Sequence, residues 1–216
     1  LNPGDEGSLD FSFYLVDKPI TFEDRNYQIH FYLEASISKI NNRKADRTVQ
    51  SQKLIYPFQT DLSFKASGRY FDEDNITLGS GPLPPKVGER TTYRIFWTIK
   101  NSLHDLSEIT VKAKMPRNVS FGPRSIVSVG TLSHTEDEVV WRIENLSSMI
   151  SQAEISFDLG IIPQLGDVGK VLNLLEASEI TAKDAALGKT ITLTADPITT
   201  EIPEDEEGRG KGTVVP

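Results

Sequence analysis

The densest run of carboxylates outside the C-terminal tail is Asp72-Glu73-Asp74, followed by Asn75. Hard cations take oxygen ligands, and carboxylates at this close spacing are the kind that hold calcium. The run lacks the glycine and distal glutamate of a calcium-binding loop, so a solvated acidic turn competes with the metal reading. Asp72, Glu73 and Asp74 are therefore the candidate calcium ligands, and no other cofactor is expected. A second chemistry is sugar stacking. Tyr14, Tyr32 and Tyr70, set on the outward faces of strand-like runs, would supply an aromatic platform to a glycan-binding module. Catalysis finds no pattern to rest on. Cysteine is absent, histidine occurs only at positions 30, 104 and 134, and neither a G-x-S-x-G elbow nor a G-x-x-x-x-G-K-[ST] loop occurs. His104 and His134 lie in turn-like stretches and read as surface residues.

The whole chain narrows the classes further. Its 216 residues carry 23 Lys and Arg against 31 Asp and Glu, a formal charge of -8. The acidic balance, with a pI near 5.0, argues against nucleic acid as a partner, because phosphate neutralisation needs a basic surface. No apolar run reaches the roughly 18 residues of a membrane span, so no membrane insertion by this segment is expected. At 38% hydrophobic residues the chain still has material for a core.

The elements that must position any site are strands. Tyr93, Ile95, Trp97 and Ile99 alternate with Thr92, Arg94, Phe96 and Thr98, and the same period recurs over 109–115, 139–143, 155–159 and 190–195. Side chains along a strand point to opposite faces, so each run has one core face and one water face. Trp97 and Trp141 fall on inward faces and are expected in the core. The separators are turn-forming: GSGPLPPKVG at 79–88, Met115-Pro116-Arg117-Asn118, and GIIPQLGDVG at 160–169. Short strands between such separators predict an all-β, antiparallel immunoglobulin-like sandwich. The charged, glycine-rich run 204–216 is expected to be a flexible linker or tail.

An internal repeat organises the chain. Leu33-Glu34-Ala35-Ser36 recurs 142 residues later as Leu175-Glu176-Ala177-Ser178. Asp10-Phe11-Ser12-Phe13-Tyr14-Leu15 resembles Glu154-Ile155-Ser156-Phe157-Asp158-Leu159, and Tyr56-Pro57-Phe58-Gln59-Thr60-Asp61-Leu62 parallels residues 196–202. Three matches in order predict a divergent repeat. On this reading 1–62 is the C-terminal half of an upstream repeat, 63–203 a complete one, and 204–216 the linker.

The run Pro84-Pro85-Lys86-Val87-Gly88-Glu89, then Tyr93 and Trp97-Thr98-Ile99-Lys100-Asn101-Ser102, resembles the conserved-repeat domain of bacterial and archaeal surface proteins (domain of unknown function 11). So do the strand 109–116 with Val119-Ser120-Phe121 and the run Val139-Val140-Trp141-Arg142-Ile143-Glu144-Asn145-Leu146. The resemblance covers 63–203, with 1–62 as a trailing half. It implies a non-catalytic structural or adhesive module of a large cell-surface protein, a spacer or stalk displayed outside the cell. Neighbouring repeats of the same chain are the implied partners, with self-association and cell-surface glycans or proteins as further ones. A glycan-binding module is the alternative.

Overall fold

The computed structural model describes residues 8, 10, 12, 28–40 and 43–216. Its strands, in chain order, are β1 Gln28–Phe31, β2 Glu34–Ile40, β3 Arg43–Gln50, β4 Leu54–Pro57, β5 Ser63–Arg69, β6 Thr91–Lys100, β7 Leu106–Lys114, β8 Val119–Val127, β9 Thr131–His134, β10 Glu138–Leu146, β11 Gln152–Ile161, β12 Asn173–Leu175, β13 Ser178–Asp184, β14 Thr190–Ala195 and β15 Ile198–Thr199. Two antiparallel sheets face each other. One has the order β5-β6-β11-β8 and the other β14-β13-β7-β10-β9, while β1-β4, β2-β3 and β12-β15 form two-stranded sheets. The fold is an all-β, immunoglobulin-like sandwich.

The period-two runs become its core. Tyr93, Ile95, Trp97 and Ile99 on β6 are fully buried, and so are Trp141 of β10 and Phe157 of β11. Trp97 meets Phe157 edge-on, with ring centroids 5.2 Å apart, and Phe64 from β5 at 6.4 Å. Such edge contacts add to the large area these rings bury. Trp141 donates from Nε1 to the Val129 carbonyl at 2.8 Å. Three buried groups, Tyr93 Oη, Trp97 Nε1 and Ser178 Oγ, have no hydrogen-bond partner among the described residues. Burial, then the neighbouring Tyr70, push the Tyr93 phenol far above the ordinary tyrosine range.

Register defines two poles. β5 begins with Ser63 opposite Lys100 and ends with Arg69 opposite Arg94. The chain therefore enters at the pole where β6 ends, here the lower pole. It leaves at the upper pole, where β15 pairs with β12. Seven residues of β5 at about 3.3 Å each separate the two.

The C-terminal run corrects an expectation. Residues 204–216 do not form a solvated linker but pack on the upper pole. Ile202, Asp205 and Val214 are buried. Val215 N–H donates to the Pro85 carbonyl at 2.9 Å, and Val87 N–H to the Val215 carbonyl at 3.1 Å. Composition foretells disorder only where apolar surface is too scarce to offset ordering entropy. Here Val214 and Asp205, with Ile202 just ahead of the run, find matching partners. Gly68 on β5 makes room for Ile202 and for Ile198 of β15. A Cβ at that position would lie 2.7 Å from Ile198 Cγ2 and 3.2 Å from Ile202 Cγ2.

Gly68→Val is expected to push Ile198 and Ile202 off β5 and to destabilise the sandwich by about 1–3 kcal/mol. Urea unfolding would show this as a lower midpoint at unchanged slope. A wild-type midpoint would show that the C-terminal run does not pack there.

Candidate functional site

The acidic run 72–74 forms a tight turn rather than a ligand cage. Asp72 Oδ1 accepts the amides of Asp74 at 3.0 Å and Ile76 at 2.8 Å. Asn75 takes the left-handed conformation, at φ 62°. A short Asp side chain that bonds backbone amides two and four residues ahead is a turn former, and asparagine tolerates positive φ. Glu73 turns to Arg69, 3.4 Å away. Among the described residues no group of three His, Asp or Glu side chains is placed to hold a metal. The run lines the wall of a concavity of about 760 Å³ on the outer face of the four-stranded sheet, with Lys65, Arg69, Phe96 and Thr98 on its floor. Its polar groups pair with one another, as where Thr98 donates to Glu154 at 3.0 Å.

Tyr32 and Tyr70 are not brought together. Tyr70 is buried, its hydroxyl donating to the Gly81 carbonyl at 2.5 Å and its ring edge-on to Tyr93 at 6.0 Å. It belongs to the core because it lies past the end of β5, where strand alternation no longer assigns its face. Tyr32 is exposed and lines a separate apolar hollow of about 620 Å³ with Phe31, Leu33 and Leu54. Tyr14 lies outside the described residues.

The titratable groups that converge do so at the poles, and sequence alone did not single them out. At the lower pole His104 is buried, against the expectation of a surface histidine. His104 Nδ1 lies 2.8 Å from Asp184 Oδ2. Asp184 also accepts the amides of Thr60 at 3.1 Å, Ala186 at 3.0 Å and Leu187 at 3.1 Å. Thr60 Oγ1 donates to Asn101 Oδ1 at 2.5 Å, and Asn101 Nδ2 to the His104 carbonyl at 2.6 Å. Beside them Asp61 accepts the amides of Ser102 at 2.8 Å and Leu103 at 3.1 Å, and the Ser102 hydroxyl. A His–Asp pair is half of a nucleophile-activating set, but this one is walled in, and the Thr60 hydroxyl beside it accepts the His104 amide and is spent on Asn101. The arrangement fastens the segment 60–61, which leads into β5, to the β6–β7 and β13–β14 connections.

The upper pole repeats the device. Asp205 Oδ2 accepts the amides of Tyr70 at 2.6 Å and Phe71 at 2.7 Å, while Oδ1 accepts those of Glu207 at 3.1 Å and Gly208 at 2.8 Å. Thr200 Oγ1 donates to the Gly212 carbonyl at 2.7 Å. A buried carboxylate is stable only when its lone pairs are met, and amide donors in this number meet them. Arg94 and Arg124 both reach Asp158, at 2.5 Å and 2.7 Å. Arg124 also donates to the Leu78 carbonyl at 2.7 Å, holding the 70–79 turn to the sheet.

Burial opposes ionisation of Asp184, but the bonds from His104, Leu187 and Thr60 outweigh it and hold its pKa below the ordinary 3.8. For Asp61, burial is likewise outweighed by the Ser102 hydroxyl and the Ser102 and Leu103 amides. A depressed folded pKa means stability that is present above the unfolded value and lost as pH falls through the folded one. Unfolding midpoints are therefore expected to fall as pH drops below about 4, with Asp184→Asn less stable at neutral pH but flatter in acid. An unchanged acid slope in Asp184→Asn would contradict the assignment.

No protein-family model matches the chain, and no curated protein matches it. Solved structures show a partial likeness of backbone course. A variant of BcpA, the major pilin subunit of Bacillus cereus, matches 81% of this chain and 64% of its own at 10% identity and a TM-score of 0.42. The major pilin SpaD from Corynebacterium diphtheriae matches 64% of this chain and 34% of its own at 9% identity and a TM-score of 0.42. The chitin-binding domain of a chitinase from Pyrococcus furiosus matches 62% of this chain and all of its own at 15% identity and a TM-score of 0.31. The chain thus spans less than two thirds of either pilin.

Proposed function

We propose that this chain is a non-catalytic spacer module of a repeat array displayed on a cell surface, of the kind its resemblance to the conserved-repeat domain implies. The observation that supports this most is the course of the chain. It enters the sandwich at one pole, leaves at the other, and is tied at each by a buried carboxylate that bonds across more than a hundred residues of sequence. A domain threaded in this way sits in line with its neighbours, and tension applied through them loads β5 and the C-terminal segment along their length. Ladder bonds loaded lengthwise resist together instead of opening one at a time. The partners in this reading are neighbouring repeats, and no cofactor is required. No helix among the described residues is long and apolar enough to cross a membrane.

Single-molecule pulling on the full chain through its two ends tests this. The sandwich is expected to open in one cooperative event, because forced unfolding follows the unfolding barrier. Asp61→Ala and Asp205→Ala are each expected to lower the unfolding force. Early low-force release of residues 57–62 and 200–216, with neither variant changing the main event, would contradict the reading.

A further inference from the structure

The unit β1 to β4 has the wiring of the unit β12 to β15. In the first, β1 pairs with β4 around the hairpin β2–β3. In the second, β12 pairs with β15 around the hairpin β13–β14. The 142-residue offset that aligns Leu33-Glu34-Ala35-Ser36 with Leu175-Glu176-Ala177-Ser178 aligns the entry into β2 with the entry into β13, while the hairpins beyond differ in register, Ala182 facing Ile191 but Ile40 facing Arg43.

That offset also pairs exposed apolar residues with buried ones. Tyr32, Leu33, Ile40, Val49 and Tyr56 are 57%, 62%, 47%, 53% and 59% exposed. The counterparts of the first three, Leu174, Leu175 and Ala182, are 0%, 0% and 1% exposed. Leu54 and Ile55 of β4 are exposed as well. Seven exposed apolar side chains on or beside two two-stranded sheets form an apolar face of the kind that marks an interaction site.

What covers the second unit identifies what fits the first. β13 is zipped to β7, β14 and β15 lie against β5, and Gly68 of β5 leaves the space that Ile198 fills. We infer that residues 28–57 are a docking unit whose partner is the front half of a second sandwich of this same type, strands equivalent to β5 through β10, supplied by an adjoining repeat. Residues 63–145 of this chain are already covered by its own β12 to β15, so a second copy of the chain does not offer that front half. The inference rests on the repeat-array part of the proposed function and not on the load-carrying role tested by pulling.

The test is to fuse a copy of residues 63–145 directly ahead of Leu1 of the full chain and to compare hydrogen exchange in the fused and unmodified proteins. In the unmodified chain, amides of 34–40 and 43–50 should exchange fast, an apolar dye should bind, and sedimentation should show a monomer. In the fused chain those amides should slow by at least about tenfold, dye binding should fall, and the added copy should itself become protected. Leu33→Ser combined with Tyr56→Ser should undo the gain and leave protection within 63–216 of the original chain unchanged. Unslowed exchange in the fused chain would overturn the inference, whether or not the added copy is protected. So would a dimer of the unmodified chain with 28–57 already protected, which would assign the face to a second copy. Either outcome leaves the pulling experiment able to stand or fall by itself.

Discussion

A sandwich crossed from pole to pole has to satisfy backbone amides at the points where the chain arrives and departs, away from any ladder. Here carboxylates do it. Asp184 and Asp61 take the amides of Thr60, Ser102 and Leu103 at the lower pole. Asp205 takes those of Tyr70 and Phe71 at the upper. A buried amide without a partner costs about 1–3 kcal/mol, and a charged acceptor strengthens each bond it makes. Without these acceptors β5 would be joined to the domain chiefly by its ladder to β6.

The packing of the sheets is set up to meet these ties. β6 presents Tyr93, Ile95, Trp97 and Ile99 to the core, and its two ends are the places where the ties are made. Thr91 at one end donates to the Pro82 carbonyl, while Asn101 just past the other is held between Thr60 and His104. Gly68 completes the arrangement by letting the C-terminal segment close on β5. The buried carboxylates Asp184 and Asp205 therefore fasten connections, and Asp72, which sits in the run that looks most like a ligand set, fastens a turn.

Much of the sandwich was legible because strand burial has a period of two, and that period survives in any sequence that builds one. Trp97 and Trp141 were assignable on this ground alone. The ties were not legible. Thr60 and Asp184 are 124 residues apart, Tyr70 and Asp205 are 135 apart, and a lone aspartate in a turn carries no periodic mark of its partner. His104 was misplaced for the same reason, since the turn containing it is covered by a segment 44 residues upstream. The run 204–216 was misread because composition averages over thirteen residues, while docking depends on the few, Asp205 and Val214 among them, that are buried against the sandwich. The repeat offset was visible as a sequence pattern; that it pairs exposed with buried side chains was not.

The central claim is that the segments by which the chain enters and leaves the sandwich, 60–61 and 200–216, belong to the cooperative core. Native-state hydrogen exchange on the full chain tests it most directly. The amides of Thr60, Ser102, Leu103, Tyr70, Phe71 and Gly208 are expected to exchange only through global unfolding, with the same denaturant dependence as the β6 amides. Exchange of these six through local opening, at free energies well below that of β6, would contradict it.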